Sequence, residues 1–358
     1  MAISLFRLIA ILSRKEMQMG INRVLSSVII GIVIFLGAAG SVQASDMNYS
    51  VQANIPANQL DKAKTYFDLR MKPREKETIS LTLKNKSGEA ATILVEPNRA
   101  TTNRNGVINY AASNEKRDSS LEVDFEQLIS SKKEVKLAPN EEKKVDFTLQ
   151  MPKQPFSGMV LGGFYVHKKE ANATRAGAKV VQVKNDFSYV IGVKLTESDE
   201  PVVPDLQLNE VKPGLENYRT MVSANIQNTS ATIVSNLHIE AEVFKQGEEK
   251  AIHHVKRDNQ VMAPNSNYDF IIPWDKAKLA SGKYLLKLKA DDGAGHKWDF
   301  RKGFVIREKD RALNEEALLL PKERHSVLKS SLIVGGLFVG MISTLTFFVI
   351  RSRKKSES

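Results

Sequence analysis

The sequence predicts an all-β chain of two tandem immunoglobulin-like β-sandwich domains, followed by a C-terminal transmembrane helix. Three observations lead there. Apolar and polar residues alternate over short segments throughout residues 45–308, a set of turn motifs recurs in the same order in both halves, and one long apolar run ends in a cluster of Arg and Lys.

At the start, Arg7, Arg14, Lys15 and Arg23 precede an apolar stretch over residues 24–39, and Val42-Gln43-Ala44 supplies a cleavage-type small-residue site. Residues 1–44 are therefore expected to be a signal peptide. An uncleaved signal anchor is the other reading, and Met17 and Met19 leave the start site open. Residues 45–200 read as the first sandwich. Ile79, Leu81 and Leu83 alternate with Ser80, Thr82 and Lys84, while Val145, Phe147 and Leu149 alternate with Asp146, Thr148 and Gln150. Phe187, Tyr189, Ile191, Val193 and Leu195 share one side of a later strand, and residues 123–129 suit one helical turn. Such period-two patterns belong to half-buried antiparallel strands.

Pro201-Val202-Val203-Pro204 is the expected linker, since proline stiffens a connection and cannot donate to a sheet ladder. Residues 204–308 repeat the strand pattern, with Val222, Ala224 and Ile226 on one face and Leu237, Ile239, Ala241 and Val243 on another. Residues 309–330 read as a juxtamembrane stalk, helical or irregular. Residues 332–350 are apolar, and 19 residues at a helical rise of ~1.5 Å match a bilayer's hydrocarbon thickness. This places a transmembrane helix at residues 331–350 and a cytoplasmic basic tail at 351–358, where Arg351, Arg353, Lys354 and Lys355 hold the inner side. Leu320-Pro321-Lys322-Glu323-Arg324 resembles a sortase signal in position but lacks the Thr-Gly pair that sortase cleaves, so anchoring by the helix itself is expected.

The recurring motifs suggest duplication. Asn85-Lys86-Ser87, Ala138-Pro139-Asn140 and Ser157-Gly158 appear in the first half; Asn228-Thr229-Ser230, Ala263-Pro264-Asn265 and Ser281-Gly282 appear in the second. The second gap is 19 residues against 18, whereas the first is 53 against 35, which implies an insertion between Pro97 and Glu134 of the first domain. Turn-forming residues also recur by chance, and that alternative stays open here.

Composition sets the compartment. The net charge of +11 includes +3 from residues 1–44 and +3 from residues 351–358, so the external part is only mildly basic and a nucleic-acid partner is not expected. With no cysteine there is neither a disulfide framework nor a thiol nucleophile, and stability must come from packed cores. No G-x-S-x-G elbow or H-E-x-x-H pair is present, so neither catalysis, nor a cofactor, nor a metal is expected. His253 and His254 are adjacent and would face opposite sides of a strand. Asp291-Asp292-Gly293-Ala294-Gly295 reads as a hairpin turn, with a calcium loop as the weaker alternative.

Candidate contact residues are few. Within residues 101–110, Asn103, Arg104 and Asn105 supply amide and guanidinium donors, and Tyr110 supplies a ring, groups suited to sugar hydroxyls and peptide carboxylates. The segment is also a hairpin candidate, Asn105-Gly106 being a favoured turn pair. Trp274 and Trp298 are candidate partner anchors of the second domain, with core packing as the competing role. Residues 158–165 read as a buried strand in which Gly162 and Gly163 allow close packing.

Taken together, Phe67-Asp68-Leu69 with Pro73, the Asn85-Lys86-Ser87 turn, Asn105-Gly106 before Ile108 and Tyr110, Met151-Pro152, and Phe156-Ser157-Gly158 through Leu161-Gly162-Gly163 resemble the first domain of WxL-interacting proteins. Pro204-Asp205-Leu206 through Val211, Asn228-Thr229-Ser230, Ala263-Pro264-Asn265-Ser266 and Ser281-Gly282-Lys283-Tyr284 resemble their second domain. The resemblance implies a Gram-positive cell-surface protein with peptidoglycan as one partner and WxL-domain surface proteins or host extracellular proteins as another. The expected function is a non-enzymatic, membrane-anchored adaptor, single-pass with its ectodomain outside. The alternative is an extracytoplasmic chaperone or assembly factor that captures partner strands on a sheet edge.

Overall fold

Strands of period two pair and turn one apolar face inward, and two such faces packed together make a sandwich. In the computed structural model, which describes residues 47–112, 116–169, 187–274 and 278–318, this happens twice. The first sandwich uses β1 (Tyr49–Asn54), β2 (Phe67–Arg70), β3 (Lys76–Asn85), β4 (Ala91–Arg99), a small hairpin of β5 (Thr101–Thr102) and β6 (Ile108–Asn109), β7 (Lys133–Leu137), β8 (Glu142–Gln150), β9 (Met159–Lys168) and β10 (Ser188–Thr196). A three-stranded sheet β1-β3-β8 packs on a five-stranded sheet β2-β10-β9-β4-β7, with β2 parallel to β10.

The second sandwich uses β11 (Leu206–Glu216), β12 (Arg219–Asn228), β13 (Val234–Lys245), β14 (Ala251–Met262), β15 (Ser266–Pro273), β16 (Gly282–Asp291) and β17 (Lys297–Ile306). Its sheets are β11-β12-β15 and β14-β13-β16-β17. Apart from β2, which is added at the edge of the five-stranded sheet, the two sandwiches share one order: β1-β3-β8 corresponds to β11-β12-β15, and β7-β4-β9-β10 to β14-β13-β16-β17, an immunoglobulin-like arrangement. The predicted alternation is realised strand by strand: Ile79, Leu81 and Leu83 enter one core, and Leu237, Ile239, Ala241 and Val243 enter the other.

Each core has an aromatic centre. Phe67, Phe147 and Phe164 are fully buried, with ring centroids 4.6 and 6.2 Å from Phe164. In the second core Trp274 meets Tyr284 edge-on at 5.7 Å. Burial of each such side chain stabilises its sandwich by ~2–3 kcal/mol, and no disulfide supplements it among the described residues.

The recurring motifs prove to be one hydrogen-bonded device built twice. Asn85 is fully buried and its Nδ2 donates to the carbonyls of Glu89 at 2.7 Å and Ala138 at 2.9 Å. Asn228 is fully buried and its Nδ2 donates to Thr232 at 2.7 Å and Ala263 at 2.9 Å. In each case Oδ1 accepts the backbone N–H two residues on, from Ser87 and Ser230, at 3.1 Å. Asn140 and Asn265 both adopt left-handed conformations at φ 58° and 47°, which asparagine tolerates better than most residues. The Asn-x-Ser turn and the Ala-Pro-Asn turn therefore recur because they clamp each other.

The segment expected to hold an insertion does differ. In the second sandwich β13 reaches β14 through residues 246–250, whereas β4 reaches β7 only after residues 100–132. That longer connection contains the β5–β6 hairpin and a short helix, Phe125–Leu128, capped by the Asp124 carboxylate accepting the Glu126 N–H. At the other end, Glu308–Arg311 and Ala312–Leu318 form short helices at the start of the expected stalk. Asn314 is buried there and exchanges two hydrogen bonds with the Leu279 backbone, at 2.8 and 3.0 Å. No helix among the described residues is long and apolar enough to cross a membrane. The expected signal peptide, transmembrane helix and basic tail lie outside those residues.

Candidate functional site

The inserted connection is held by two packing contacts of its own. Phe125 fills the core position opposite Gly162 of β9, where a Cβ would lie 2.0 Å from the Phe125 ring. On the other face of the same strand, Tyr110 lies over Gly163, where a Cβ would come within 2.7 Å of its ring. The paired glycines thus admit one aromatic side chain on each side of the sheet. Burial, and then the nearby Tyr66, push the Tyr110 phenol pKa up, so the ring is neutral at physiological pH.

So anchored, the insertion reaches the second sandwich. At the hairpin tip Asn103 Oδ1 accepts the N–H groups of Asn105 at 2.9 Å and Val107 at 3.2 Å, which consumes that side chain in shaping the turn. Gly106 alone takes the left-handed conformation, at φ 66°, in a five-residue loop rather than a two-residue turn. Its carbonyl accepts the Val261 N–H at 2.7 Å, and the Asn105 carbonyl accepts from Gln260 Nε2 at 2.9 Å. Thr102 is buried, its hydroxyl accepting the Ala263 N–H at 3.0 Å and meeting the Ser266 hydroxyl at 2.6 Å. Arg104 pairs with Glu216.

A second anchor lies further along. The Asp118 carboxylate accepts from Gln227 Nε2 at 2.7 Å and from Asn267 Nδ2 at 2.5 Å, and Asn265 Nδ2 donates to the Ser120 carbonyl at 2.9 Å. Burial pushes the Asp118 carboxyl up, but the hydrogen bonds from Asn267, Ser120 and Gln227 outweigh it and hold its pKa below the ordinary carboxylate value. Between this segment and strands β11, β12 and β15 lies an open polar cleft of about 600 Å³, floored by amides including Asn209, Asn225 and Asn267. Those amides bond one another at 3.0–3.1 Å, forming a ladder across the sheet.

The four wall-contact candidates consequently do not share one surface. Asn103, Arg104 and Asn105 belong to the junction with the second sandwich, while Tyr110 lies on the outer face of the first. Sequence reading missed Asp118, Ser120 and Thr102, which have ordinary surface-loop identities and gain meaning only from the strands they meet. Trp274 is a core residue, 2% exposed, with the His253 ring 3.8 Å from its own, so it presents no contact surface. Burial lowers the His253 pKa. Trp298 is half-buried on β17 and lines an open groove of about 440 Å³ with His238, Glu240 and Lys289. The Asp292 loop is the β16–β17 hairpin, its carboxylate accepting the N–H groups of Ala294 and His296 and meeting the His296 ring at 2.6 Å.

Family models give this geometry a family. Residues 49–168 match the WxL Interacting Protein peptidoglycan binding domain, and residues 178–315 match the WxL Interacting Protein host binding domain. The chain belongs to the WxL-interacting protein family. Both halves of this WxL-interacting protein are thus members of binding families. The second match takes in β10, which pairs with β9 and β2 in the first sandwich. No curated protein matches the sequence significantly.

Solved structures align at low similarity. A chain from a chaperone–tip adhesin complex of CFA/I fimbriae biogenesis is 13% identical with a TM-score of 0.28, over 71% of this chain and 98% of that one. The class 5 fimbriae chaperone CfaA is 13% identical at 0.24, over 72% and 98%. The Pseudomonas aeruginosa CupB2 chaperone is 11% identical at 0.23, over 66% and 97%. At these scores the alignments carry no functional argument.

Proposed function

We propose that the chain is a membrane-anchored cell-surface adaptor that binds peptidoglycan through its first sandwich and WxL-domain surface proteins or host extracellular proteins through its second. The tandem of two binding-family domains, joined by a hydrogen-bonded junction, is the observation that carries this reading. An adaptor gains from such a junction because a fixed geometry avoids the entropy of ordering a flexible tether upon each encounter. The apolar run at residues 332–350 and its basic tail support single-pass anchoring with the sandwiches outside. Chemistry by this chain is not part of the reading: it acts by holding partners together.

A bridging assay tests it. Purified full-length protein in detergent micelles is mixed with purified sacculi and a WxL-domain surface protein, and the pellet is analysed. The WxL protein should pellet only when the adaptor is present. Pelleting of the WxL protein without it, or failure of the ternary complex to form, sinks the bridging role. For anchoring, a C-terminally tagged protein should stay intact in the detergent-soluble membrane fraction after wall digestion, and release of tagless protein with wall fragments would overturn that part.

A further inference from the structure

The outer face of the five-stranded sheet carries a feature that the junction does not use. Register places Gly192 opposite Gly163 and Gly163 opposite Asn98, and Tyr66, the residue before β2, lies beside Gly192, so one row across the sheet has glycine at its centre. Tyr110 lies down on that gap: a Cβ at Gly163 would touch its ring, and one at Gly192 would sit 3.9 Å from both its hydroxyl and Tyr66 Cβ. The next row pairs Val190 with Tyr165. Tyr66 is 36% exposed and Val190 44%, while Tyr165 and Tyr110 are half-buried. Asn98 Nδ2 donates to the Tyr110 carbonyl at 2.9 Å, fixing the approach of the ring.

We infer that this tyrosine face, Tyr66, Tyr110 and Tyr165 over the glycine floor, is where a glycan strand of the wall lies. The inference deepens the proposed wall-binding role and rests on it. A flat aromatic ledge suits a pyranose chain: the C–H bonds on one side of each sugar meet the electron-rich ring faces, and phenol and amide groups at the edges serve the hydroxyl and N-acetyl groups. The three rings lie within the residues that match the peptidoglycan-binding family. Lys64 and Lys194 both pair with the buried Asp68 beside Tyr66, and the Lys64 ammonium lies 5.4 Å from the Tyr66 ring centre, so this end of the ledge offers ammonium donors to sugar hydroxyl and N-acetyl oxygens. A peptide partner would be better served by a free sheet edge than by the middle of a paired sheet.

Cosedimentation of the purified full chain with sacculi tests the assignment, using chitohexaose and free stem peptide as competitors. The chain should pellet, chitohexaose should displace it and stem peptide should not. Tyr66→Ala with Tyr165→Ala should weaken pelleting about tenfold or more, as loss of central aromatic contacts does, whereas Phe at both positions should retain most of it. Thermal melting of each variant guards against unfolding, and if the double variant fails to fold, Tyr66→Ser alone carries the test. Native pelleting with an unaffected alanine variant, or displacement by stem peptide only, overturns the face while leaving the adaptor role. Absence of pelleting by the native chain overturns wall binding itself, and this inference with it.

Discussion

The two sandwiches share a strand order and an Asn–Ala clamp, yet one connects β13 to β14 in five residues, 246–250, and the other makes the matching connection, β4 to β7, only through residues 100–132. The difference shows what a long connection is for. Closing a longer loop costs little, roughly 0.6 kcal/mol per doubling of length, and this one recovers the cost with Phe125 in the core and Tyr110 on the sheet. Anchored at both faces of β9, it becomes a rigid bracket against the second sandwich. The shared part of the fold makes each domain, and the unshared part joins them.

The shared part should be the most sensitive. Asn85→Ala and Asn228→Ala each remove two hydrogen bonds donated by a fully buried amide and one that it accepts from a backbone N–H, so each should cost about 2–4 kcal/mol. Denaturant unfolding of the two variants should give similar losses. A large loss in one and a negligible loss in the other would show that the duplicated clamp is not equivalent in energy.

Next comes the bracket's root. Gly162→Ala places a methyl 2.0 Å from the Phe125 ring, whereas Gly192→Ala meets nothing nearer than 3.9 Å. The first should destabilise by about 1–3 kcal/mol through overpacking, and the second should be close to neutral. Thermal melting distinguishes them, and equal effects would refute the distinction between the core and outer faces of the five-stranded sheet.

Much of the fold was legible because it rests on periodicity. Ile79 to Leu83 and Leu237 to Val243 announce buried faces by alternation alone, and the Asn-x-Ser and Ala-Pro-Asn turns announce duplication because left-handed and self-bonding turns draw on few residue types. The junction was not legible, for a physical reason. Asp118, Ser120 and Thr102 act through partners more than a hundred residues away, and no local pattern marks such a contact. The same holds for Tyr110, whose place depends on two glycines from different strands meeting in register.

Asp118 offers a milder test of the bracket. Its pKa is held below the ordinary carboxylate value, so its stabilising contribution is fully present above about pH 4 and is lost as the pH falls through the depressed value. Protection of the Ala263 and Val261 amides, which bond to the insertion, should fall on acidification once exchange is normalised to the slower intrinsic rate in acid. Asp118→Asn should show faster exchange already at neutral pH, by an amount equivalent to ~1–2 kcal/mol, and a weaker acid response. Identical acid profiles for the two proteins would remove Asp118 from control of the junction.

The smallest effect is expected at Arg104, one of the four residues that the sequence offers for wall contact. Its guanidinium pairs with Glu216 across the junction, but the side chain is 57% exposed, and exposed ion pairs contribute only about 0.2–1 kcal/mol because water and salt screen them. The hairpin is held mainly by its backbone carbonyls at Asn105 and Gly106 and by the buried Thr102 hydroxyl. Arg104→Ala should therefore leave melting within about a degree of the native protein at moderate salt and leave sacculus pelleting unchanged. Loss of pelleting in this variant with melting intact would return Arg104 to the wall-contact surface, extend that surface from the Tyr110 face to the junction, and make the bracket itself part of the site.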